Sequence, residues 1–170
     1  ARRMDPAALD AAVSALRAQG RLPFAVVGTA GTTDFGSIDP LPALARVAAR
    51  EGLWLHVDAA YGGALVLSDR LRPLLQGIEH ADSLTVDFHK LFWQPVSASA
   101  VLVRDAASWQ TLRLHADYLN PDDGDTPDLV TKSIQTTRRF DALKVWVSLR
   151  SLGRRRFAEM IERTVDLAQA

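Results

Sequence analysis

Short apolar stretches alternate with helical segments along most of the 170 residues, and this alternation restricts the chain to few folds. Apolar runs at 24–29, 53–57 and 83–86 have the length and composition of buried strands. Between the first two runs, a segment with helical spacing begins at Asp39 and ends at Gly52, a residue type that commonly terminates helices. Strands that alternate with helices on this scale predict an α/β fold with a mostly parallel sheet flanked by helices.

The rest of the sequence continues this pattern, with one exception. The further predicted elements are a helix over 5–20, a helix near 68–76, a strand over 98–103, and helices over 138–153 and 154–170. The exception is the segment 115–131, which contains five aspartates, two prolines and a glycine. Such a composition is typical of a loop rather than a packed element, so we expect a mobile acidic loop there.

The composition argues against several functional classes. Twenty basic and twenty acidic residues cancel, so no excess of charge indicates a nucleic acid or an anionic lipid as partner. No apolar run approaches the ~18 residues of a membrane-spanning helix. Cysteine is absent, which excludes disulfides and thiolate metal ligands. We therefore expect a cytoplasmic protein that acts on a small molecule, without a nucleic-acid or membrane partner.

Residues with useful chemistry follow the predicted strands. Thr32, Thr33, Asp58, His89 and Lys90 all lie at the C-terminal ends of strands or just beyond them. Open α/β sheets bind their ligands at this edge. The sequence therefore predicts that hydroxyls, a carboxylate, an imidazole and an amine meet in one site.

Asp58 and Lys90 form the pair with the clearest chemical meaning. Asp58 ends an apolar strand, which predicts a buried carboxylate in need of a cationic partner. Lys90 lies within the apolar stretch 88–93, and a partly desolvated amine is suited to Schiff-base formation with a carbonyl. A buried aspartate can also hold a protonated ring nitrogen, as in pyridoxal phosphate enzymes. Spacing alone leaves open the alternative that Asp58 and Lys90 form a plain salt bridge.

The histidines allow two further interpretations. His56 alternates away from Asp58 along its strand, which predicts a structural role for its ring. A metal site built from His56, His89 and nearby aspartates would need a recognised ligand spacing, and the sequence has none. We therefore predict no metal.

Four stretches of the sequence carry a resemblance to a known family. In order and spacing, they resemble motifs of the pyridoxal-phosphate-dependent group II amino-acid decarboxylases. The stretches are VVGTAGTTDFGSIDPL, WLHVDAAYGG, ADSLTVDFHKLFWQPVSAS and SIQTTRRFDALKVWVSLRSLG. The likeness covers roughly residues 22–153. Within the family, QTTRRFDALK is most similar to the bacterial branch that acts on L-2,4-diaminobutyrate or lysine.

The resemblance implies an enzyme, a carboxy-lyase that removes the α-carboxylate of an amino acid as carbon dioxide and leaves an amine. Its cofactor would be pyridoxal 5'-phosphate. Residues 1–153 would be the central part of the cofactor-binding large domain of a fold-type I (aspartate aminotransferase-like) enzyme, and 154–170 a helix leading towards a small C-terminal domain. The resemblance also implies a homodimer, and an isolated stretch of this length is expected to be inactive.

The resemblance further implies roles for five residues. Lys90, the lysine of the His-Lys motif, would form the Schiff base with the cofactor, and Asp58 would pair with its pyridine nitrogen. Ala60 would pack against the face of the ring. Thr33 would lie near the phenolic oxygen and the substrate carboxylate, and His89 would reach the phosphate or the Schiff-base region.

Tyr118 and Asp87 each allow more than one role. Related decarboxylases carry a tyrosine at the point of Tyr118, on a loop that closes over the substrate. Tyr118 would then protonate the substrate Cα after carbon dioxide leaves, or else only anchor the loop by its ring. Asp87 stands where some relatives have an asparagine near the phosphate, and its role stays open. The aspartates of the loop allow two interpretations of equal weight. They could attract a cationic substrate, or they could simply belong to a solvent-exposed loop.

Two other functions would use the same aspartate and lysine. The first is another fold-type I reaction, that of an aldolase, a carbon–sulfur lyase or an aminotransferase, because the reaction depends on which Cα bond lies perpendicular to the cofactor ring. The second is an inactive homologue that serves as a scaffold or dimerisation domain. The sequence does not identify the amino acid, and we favour 2,4-diaminobutyrate or lysine over aromatic substrates.

Overall fold

The chain folds around a four-stranded β-sheet with helices packed on one of its faces. The computed structural model describes residues 2–112, 129–132 and 135–170, except for the side chain of Thr131. The longer elements are α1 (Pro6–Ala18), β1 (Ala25–Thr29), α2 (Leu41–Glu51), β2 (Trp54–Asp58), β3 (Ser83–Asp87), β4 (Ser99–Val103) and α3 (Ala142–Gln169). Short 3₁₀ helices span Gly62–Leu67, Arg72–Leu75, Ile78–His80, Ala106–Leu112 and Val130–Lys132.

The sheet is mostly parallel, as predicted. Its strand order is β1-β2-β3-β4, with β1, β2 and β3 parallel and β4 antiparallel to β3. The connection from β3 to β4 covers only residues 88–98, whereas a parallel neighbour needs a crossover of about a dozen or more residues, usually helical. The length of this connection explains why β4 runs in the opposite direction.

Local signals explain where the first two helices begin and end. The Asp5 side chain accepts a hydrogen bond from the Ala7 backbone N–H at 2.8 Å, and this cap begins α1. Gly52 ends α2 in the left-handed region, with φ of 64°, and its N–H returns to the carbonyl of Ala48. Both helices therefore form close to the predicted bounds.

The two faces of the sheet differ in burial. Leu55 and Val57 of β2 are 1% and 0% exposed, because they point towards α2 and the core. Val27 of β1 points to the other side and is 52% exposed. Since side chains alternate along a strand, the residues between the core positions form a second, largely open face. Asp58 belongs to that open face.

The helix predicted near 68–76 is wrong. The structure has only one short 3₁₀ helix in this range, because Pro73 lacks a backbone donor and the side chain of Ser68 bonds elsewhere. The buried Ser68 hydroxyl accepts from the Leu71 N–H at 3.0 Å and donates to Glu162 of α3. These contacts hold the chain in an irregular path against α3.

Helix α3 is interrupted at Gly153, whose φ of 72° and ψ of 164° are not helical. Two helices were predicted to meet at this point, although the first begins at Ala142 rather than at 138. After the break, Phe157 and Ile161 are fully buried in the common core. The helix that follows Gly153 thus packs on the sheet domain itself.

Most of the predicted loop over 115–131, including Tyr118, lies outside the described residues. In the ranges that are described, no helix combines the length and the apolarity needed to cross a membrane.

Candidate functional site

An open cleft of about 580 Å³ lies where β1 and β2 end. Four of the predicted site residues line it, namely Thr33, Asp58, Ala60 and Lys90. The structure therefore brings the predicted amine, carboxylate, small residue and hydroxyl together. A second groove, of about 420 Å³, lies beyond the other end of the strands and contains none of the predicted site residues.

Asp58 is the last residue of β2, and its side chain is exposed rather than buried. One carboxylate oxygen, Oδ1, accepts from the Ala60 N–H at 3.0 Å and from the Thr85 hydroxyl at 3.4 Å. The predicted burial is wrong because Val57 occupies the core position and Asp58 falls on the open face. Within the described part of the chain, no cationic side chain pairs with Asp58.

Lys90 lies in the turn that follows β3, with its side chain 39% exposed. The apolar surroundings predicted from the sequence are wrong, because Leu91 and Phe92 turn into the core and leave the amine at the surface. Its Nζ is 3.0 Å from Oδ2 of Asp87, and no ion pair joins it to Asp58 among the described residues. The alternative of a plain Asp58–Lys90 salt bridge is therefore wrong as well.

Asp87, whose role the sequence left open, is the centre of a small polar network. Its Oδ1 accepts from the Ser99 hydroxyl at 2.6 Å, and its Oδ2 lies near Lys90 and 3.8 Å from Nε2 of His89. Burial acts to raise the pKa of Asp87, but the hydrogen bonds from Ser99 and Lys90 and the charges of Lys90 and His89 outweigh it. The pKa of Asp87 is therefore lowered from its ordinary value.

The two histidines have different surroundings. His89 does not line the cleft, and its Nδ1 contacts the backbone of Ala98, 2.9 Å from the carbonyl oxygen and 3.1 Å from the nitrogen. Nδ1 of His56 lies 2.8 Å from the Ser83 hydroxyl, which also accepts from the Trp54 indole at 2.8 Å. The contact within the sheet agrees with a structural role for His56, but the reason given for that role is wrong. Residues two apart along a strand share a face, and His56 lies on the same open face as Asp58.

The two threonines of the loop after β1 have different surroundings. The hydroxyl of Thr32 accepts from the Ser37 N–H at 3.1 Å and helps to close the loop. Thr33 is exposed at the tip and faces the cleft. The structure thus leaves the second threonine of the Gly-Thr-Thr motif available for a ligand.

Close backbone contact joins the two loops that form the cleft. The Gly62 N–H donates to the Ala30 carbonyl at 2.9 Å, and a Cβ on Gly62 would lie 2.2 Å from that oxygen. Gly31 faces this contact with φ of +99°, a conformation that favours glycine. Only glycine at 62 permits the loops to approach so closely.

Helix α3 fixes the connection that carries Lys90. The Ser148 hydroxyl donates to the side-chain oxygen of the buried Gln94 at 3.0 Å, and Nζ of Lys144 donates to the Ser97 carbonyl at 2.8 Å. Ser148 and Lys144 belong to the motif SIQTTRRFDALKVWVSLRSLG, for which no structural role was predicted. Their contacts give this motif a role, because they hold the connection that carries Lys90.

Sequence reasoning also missed several residues of the cleft, namely Arg2, Asp34, Phe35 and Tyr61. Asp34 and Phe35 directly follow the predicted Thr33, and Tyr61 directly follows Ala60. Adjacency to a predicted residue was therefore an available signal for three of them. Arg2 was not foreseeable, because its placement depends on a contact of the chain start with Phe35.

The groups in the cleft fit a flat cofactor with an aldehyde and a basic ring nitrogen. Lys90 supplies an amine for the aldehyde, and Asp58 supplies a carboxylate that can hold a proton on the nitrogen. Ala60 leaves space beside the strand end, and Thr33 offers a hydroxyl. This donor set suits pyridoxal phosphate.

The fold and the cleft define an α/β protein equipped for carbonyl–amine chemistry. A comparison with family models gives the narrower class, because the pyridoxal-dependent decarboxylase conserved domain matches residues 1–170. The chain belongs to this family. The match confirms the predicted resemblance and, for the family as a whole, its dependence on a pyridoxal cofactor.

Two curated relatives are L-2,4-diaminobutyrate decarboxylases. The protein from Rhizobium meliloti (strain 1021) is 49% identical over 99% of the chain, and that from Acinetobacter baumannii is 45% identical over 98%. The chain spans only 34% and 33% of these relatives, about one third of their length.

Solved structures of decarboxylases share the fold. Mouse CSAD in its apo form superposes with a TM-score of 0.90 at 36% identity, covering 98% of this chain and 35% of that one. Oryza sativa TDC with PLP and tryptamine gives a TM-score of 0.86 at 35% identity, covering 92% and 33%. These similarities confirm the predicted fold class.

Proposed function

We propose that the whole protein is a pyridoxal phosphate-dependent decarboxylase, which removes the α-carboxylate of an amino acid as carbon dioxide and leaves an amine. The observation that carries this proposal is the presence of Lys90 and Asp58 on one cleft in a chain of this family. When bound, the cofactor supplies an aldehyde that links to amines and a protonated ring that draws electrons from a neighbouring bond.

In this proposal, Lys90 and Asp58 have complementary tasks. The Lys90 amine would hold the cofactor covalently until the amine of the substrate takes its place. Its ion pair with Asp87 would have to be given up for this role. The Asp58 carboxylate holds a proton on the ring nitrogen, while the Ala60 N–H and the Thr85 hydroxyl orient it through Oδ1.

Four further residues complete the proposed site. Ala60 gives room for the face of the ring, and Thr33 offers its hydroxyl to the phenolic oxygen of the cofactor or to the substrate carboxylate. Nδ1 of His89 lies at the Ala98 backbone and Nε2 lies 3.8 Å from Oδ2 of Asp87, so contact with the cofactor requires the ring to leave its position outside the cleft. Tyr118, outside the described residues, delivers a proton to Cα once the carboxylate has left.

The finer part of the proposal is the substrate, a diamino acid such as 2,4-diaminobutyrate or lysine. The names of the two relatives at 49% and 45% identity support it. We also propose that the whole protein is a cytoplasmic homodimer, and that residues 1–153 are the central part of its large domain, with 154–170 joining this domain to a small one. Light scattering on the purified protein tests the dimer.

Borohydride trapping tests the role of Lys90 directly. Residues 1–170 contain three lysines, Lys90, Lys132 and Lys144, and peptide mapping distinguishes them from one another and from any lysine elsewhere in the full-length protein. With the full-length protein and pyridoxal phosphate, we expect a reduced adduct on Lys90 alone. Lys90→Ala should abolish the adduct and lower carbon dioxide release by about a thousandfold or more, and the control Lys132→Ala should retain both.

Other outcomes point to the alternative functions. An adduct on Lys90 without carbon dioxide release from any amino acid would favour another fold-type I reaction. No adduct in a folded full-length protein would favour an inactive scaffold.

A further inference from the structure

Asp34 is a charged side chain of the cleft that has no role in the proposed reaction. It lines the same cleft as Asp58 and Lys90, and its side chain is exposed. Among the described residues it forms neither a hydrogen bond nor an ion pair. A carboxylate that shares the cleft with Lys90 and has no partner among these residues is suited to binding a cation.

The other charged groups of the cleft are engaged. Lys90 pairs with Asp87, and the carboxylate of Asp58 is assigned to the ring nitrogen. The guanidinium of Arg2 stacks on Phe35, with its carbon 3.2 Å from the ring centre. Asp34 is therefore the carboxylate of the cleft that remains for a second positive charge.

The loop that carries Asp34 is held in shape by its own backbone. The Gly36 N–H donates to the Thr32 carbonyl at 2.8 Å, and the Thr32 N–H donates to the Ser37 carbonyl at 3.0 Å. Ala30 and Ile38 close the base of the loop as a β-bridge. The tip, residues 33–35, is thereby presented to the cleft in a defined position, which a specificity residue requires.

An aromatic ring also lines the cleft that Asp34 faces. Tyr61 lines it from the loop after β2, whereas the ring of Phe35, next to Asp34, is covered by the guanidinium of Arg2. Tyr61 suits contact with a short aliphatic stem, and Asp34 suits a positive charge at its end. A substrate with these two properties is an amino acid that carries a second amine.

We propose that Asp34 binds the side-chain ammonium of a diamino-acid substrate and so determines the specificity of the enzyme. This inference rests on the proposed function and extends it by naming the residue that distinguishes a cationic side chain from a neutral one.

A pair of substrates that differ only in charge tests this role. L-2,4-diaminobutyrate carries an ammonium where L-norvaline carries a methyl group. In the full-length holoenzyme, Asp34→Asn should lower kcat/KM for diaminobutyrate by about 10- to 100-fold, because a charge-assisted hydrogen bond is lost. The loss should appear mainly in KM, and kcat/KM for norvaline should stay within about twofold.

Product binding provides a readout that does not depend on turnover. Calorimetry should show weaker binding of 1,3-diaminopropane in Asp34→Asn, by a factor similar to that in kcat/KM, and unchanged binding of butylamine. Asp10→Asn is the matched control, because Asp10 pairs with Arg50 on the helices, away from the cleft. A second comparison is the double variant Asp122→Asn with Asp123→Asn, which removes charge from the acidic segment.

The outcomes separate this inference from the proposed function. An unchanged preference for diaminobutyrate in Asp34→Asn, with a loss in the Asp122 and Asp123 variant, would assign recognition to the acidic segment and overturn the inference alone. A wild-type enzyme that decarboxylates only neutral or aromatic amino acids would overturn the inference and the proposed diamino-acid substrate, and would leave the proposed decarboxylation standing. A wild type that releases carbon dioxide from no amino acid would overturn the proposed function and this inference together.

Discussion

The two faces of the sheet perform different tasks, although alternate residues of the same strands build them. On the covered face, Leu55 and Val57 are enclosed by α2 and the core. On the open face, Asp58 and Thr85 present their polar groups near the cleft. Because neighbouring residues point in opposite directions, stability and chemistry can be altered separately at adjacent positions.

The carboxylates of the molecule show the same division. The two oxygens of Asp39 accept from the backbone of Met4 at 2.7 Å and of Thr29 at 2.8 Å, and Asp82 accepts from the Leu55 N–H at 2.7 Å. These carboxylates bind the backbone together and are unavailable to a ligand. In the cleft, Asp34 has no partner among the described residues and Asp58 accepts through Oδ1 alone, so both carboxylates keep an oxygen available for a ligand.

The covered face should give the largest effect on stability. Leu55→Ala should lower the free energy of unfolding by about 2–5 kcal/mol, because it removes a fully buried side chain and leaves a cavity. Leu74→Ala, which deletes the same group at a position 53% exposed, should cost about 0.5 kcal/mol or less. Chemical denaturation of both variants measures the difference, and equal losses would mean that the two positions do not differ in packing.

The open face should give the opposite pattern. Asp58→Asn should lower kcat/KM about 10- to 100-fold, since the amide cannot hold the ring nitrogen protonated. The unfolding free energy should change by about 0.5 kcal/mol or less, because an asparagine oxygen can still accept from the Ala60 N–H. Kinetics and denaturation on the same preparation check both parts, and a large loss of stability would assign Asp58 to the structural carboxylates.

The smallest of the three effects is expected at Asp87, the last residue of β3. Its pKa is lowered in the folded state, so its ionised form stabilises the fold above the ordinary aspartate pKa. This contribution is lost as the pH falls through the lowered pKa. In the cofactor-free protein, Asp87→Asn should therefore reduce stability at pH 7 by about 1 kcal/mol or less, and the difference from wild type should shrink below about pH 4.

Thermal unfolding between neutral and acid pH measures this difference, with Ser99→Ala as a variant that keeps the charge and removes one hydrogen bond to it. A difference between wild type and Asp87→Asn that does not depend on pH would show that the charge of Asp87 contributes nothing.

Much of the fold could be predicted because its signals are local. The cap at Asp5, the glycine at 52 and the apolar strands each depend on a few neighbouring residues. The helix near 68–76 was wrong because tertiary contacts of Ser68 with α3 compete with helical spacing, and Pro73 offers no donor. The reversed direction of β4 was not predicted, although the short connection over 88–98 leaves no room for a helical crossover.

The sequence predicted which residues meet in the site better than it predicted how buried they are. Residues at strand ends meet at one edge, so Asp58 and Lys90 were brought together correctly. Their burial was misjudged because the neighbours of Lys90 in sequence, Leu91 and Phe92, pack away from its amine. The partnership of Lys90 with Asp87 depends on a turn whose geometry no local pattern specifies.

The contact between Gly62 and Ala30 has a consequence for attempts to redesign the cleft. The two loops beside the cleft are joined there through a hydrogen bond between their backbones. A library that varies the tip at 33–35 can therefore change which side chains face the cleft while this contact continues to set the width of the opening. A library that includes position 62 would change that width first, and most of its members would be lost for reasons unrelated to selectivity.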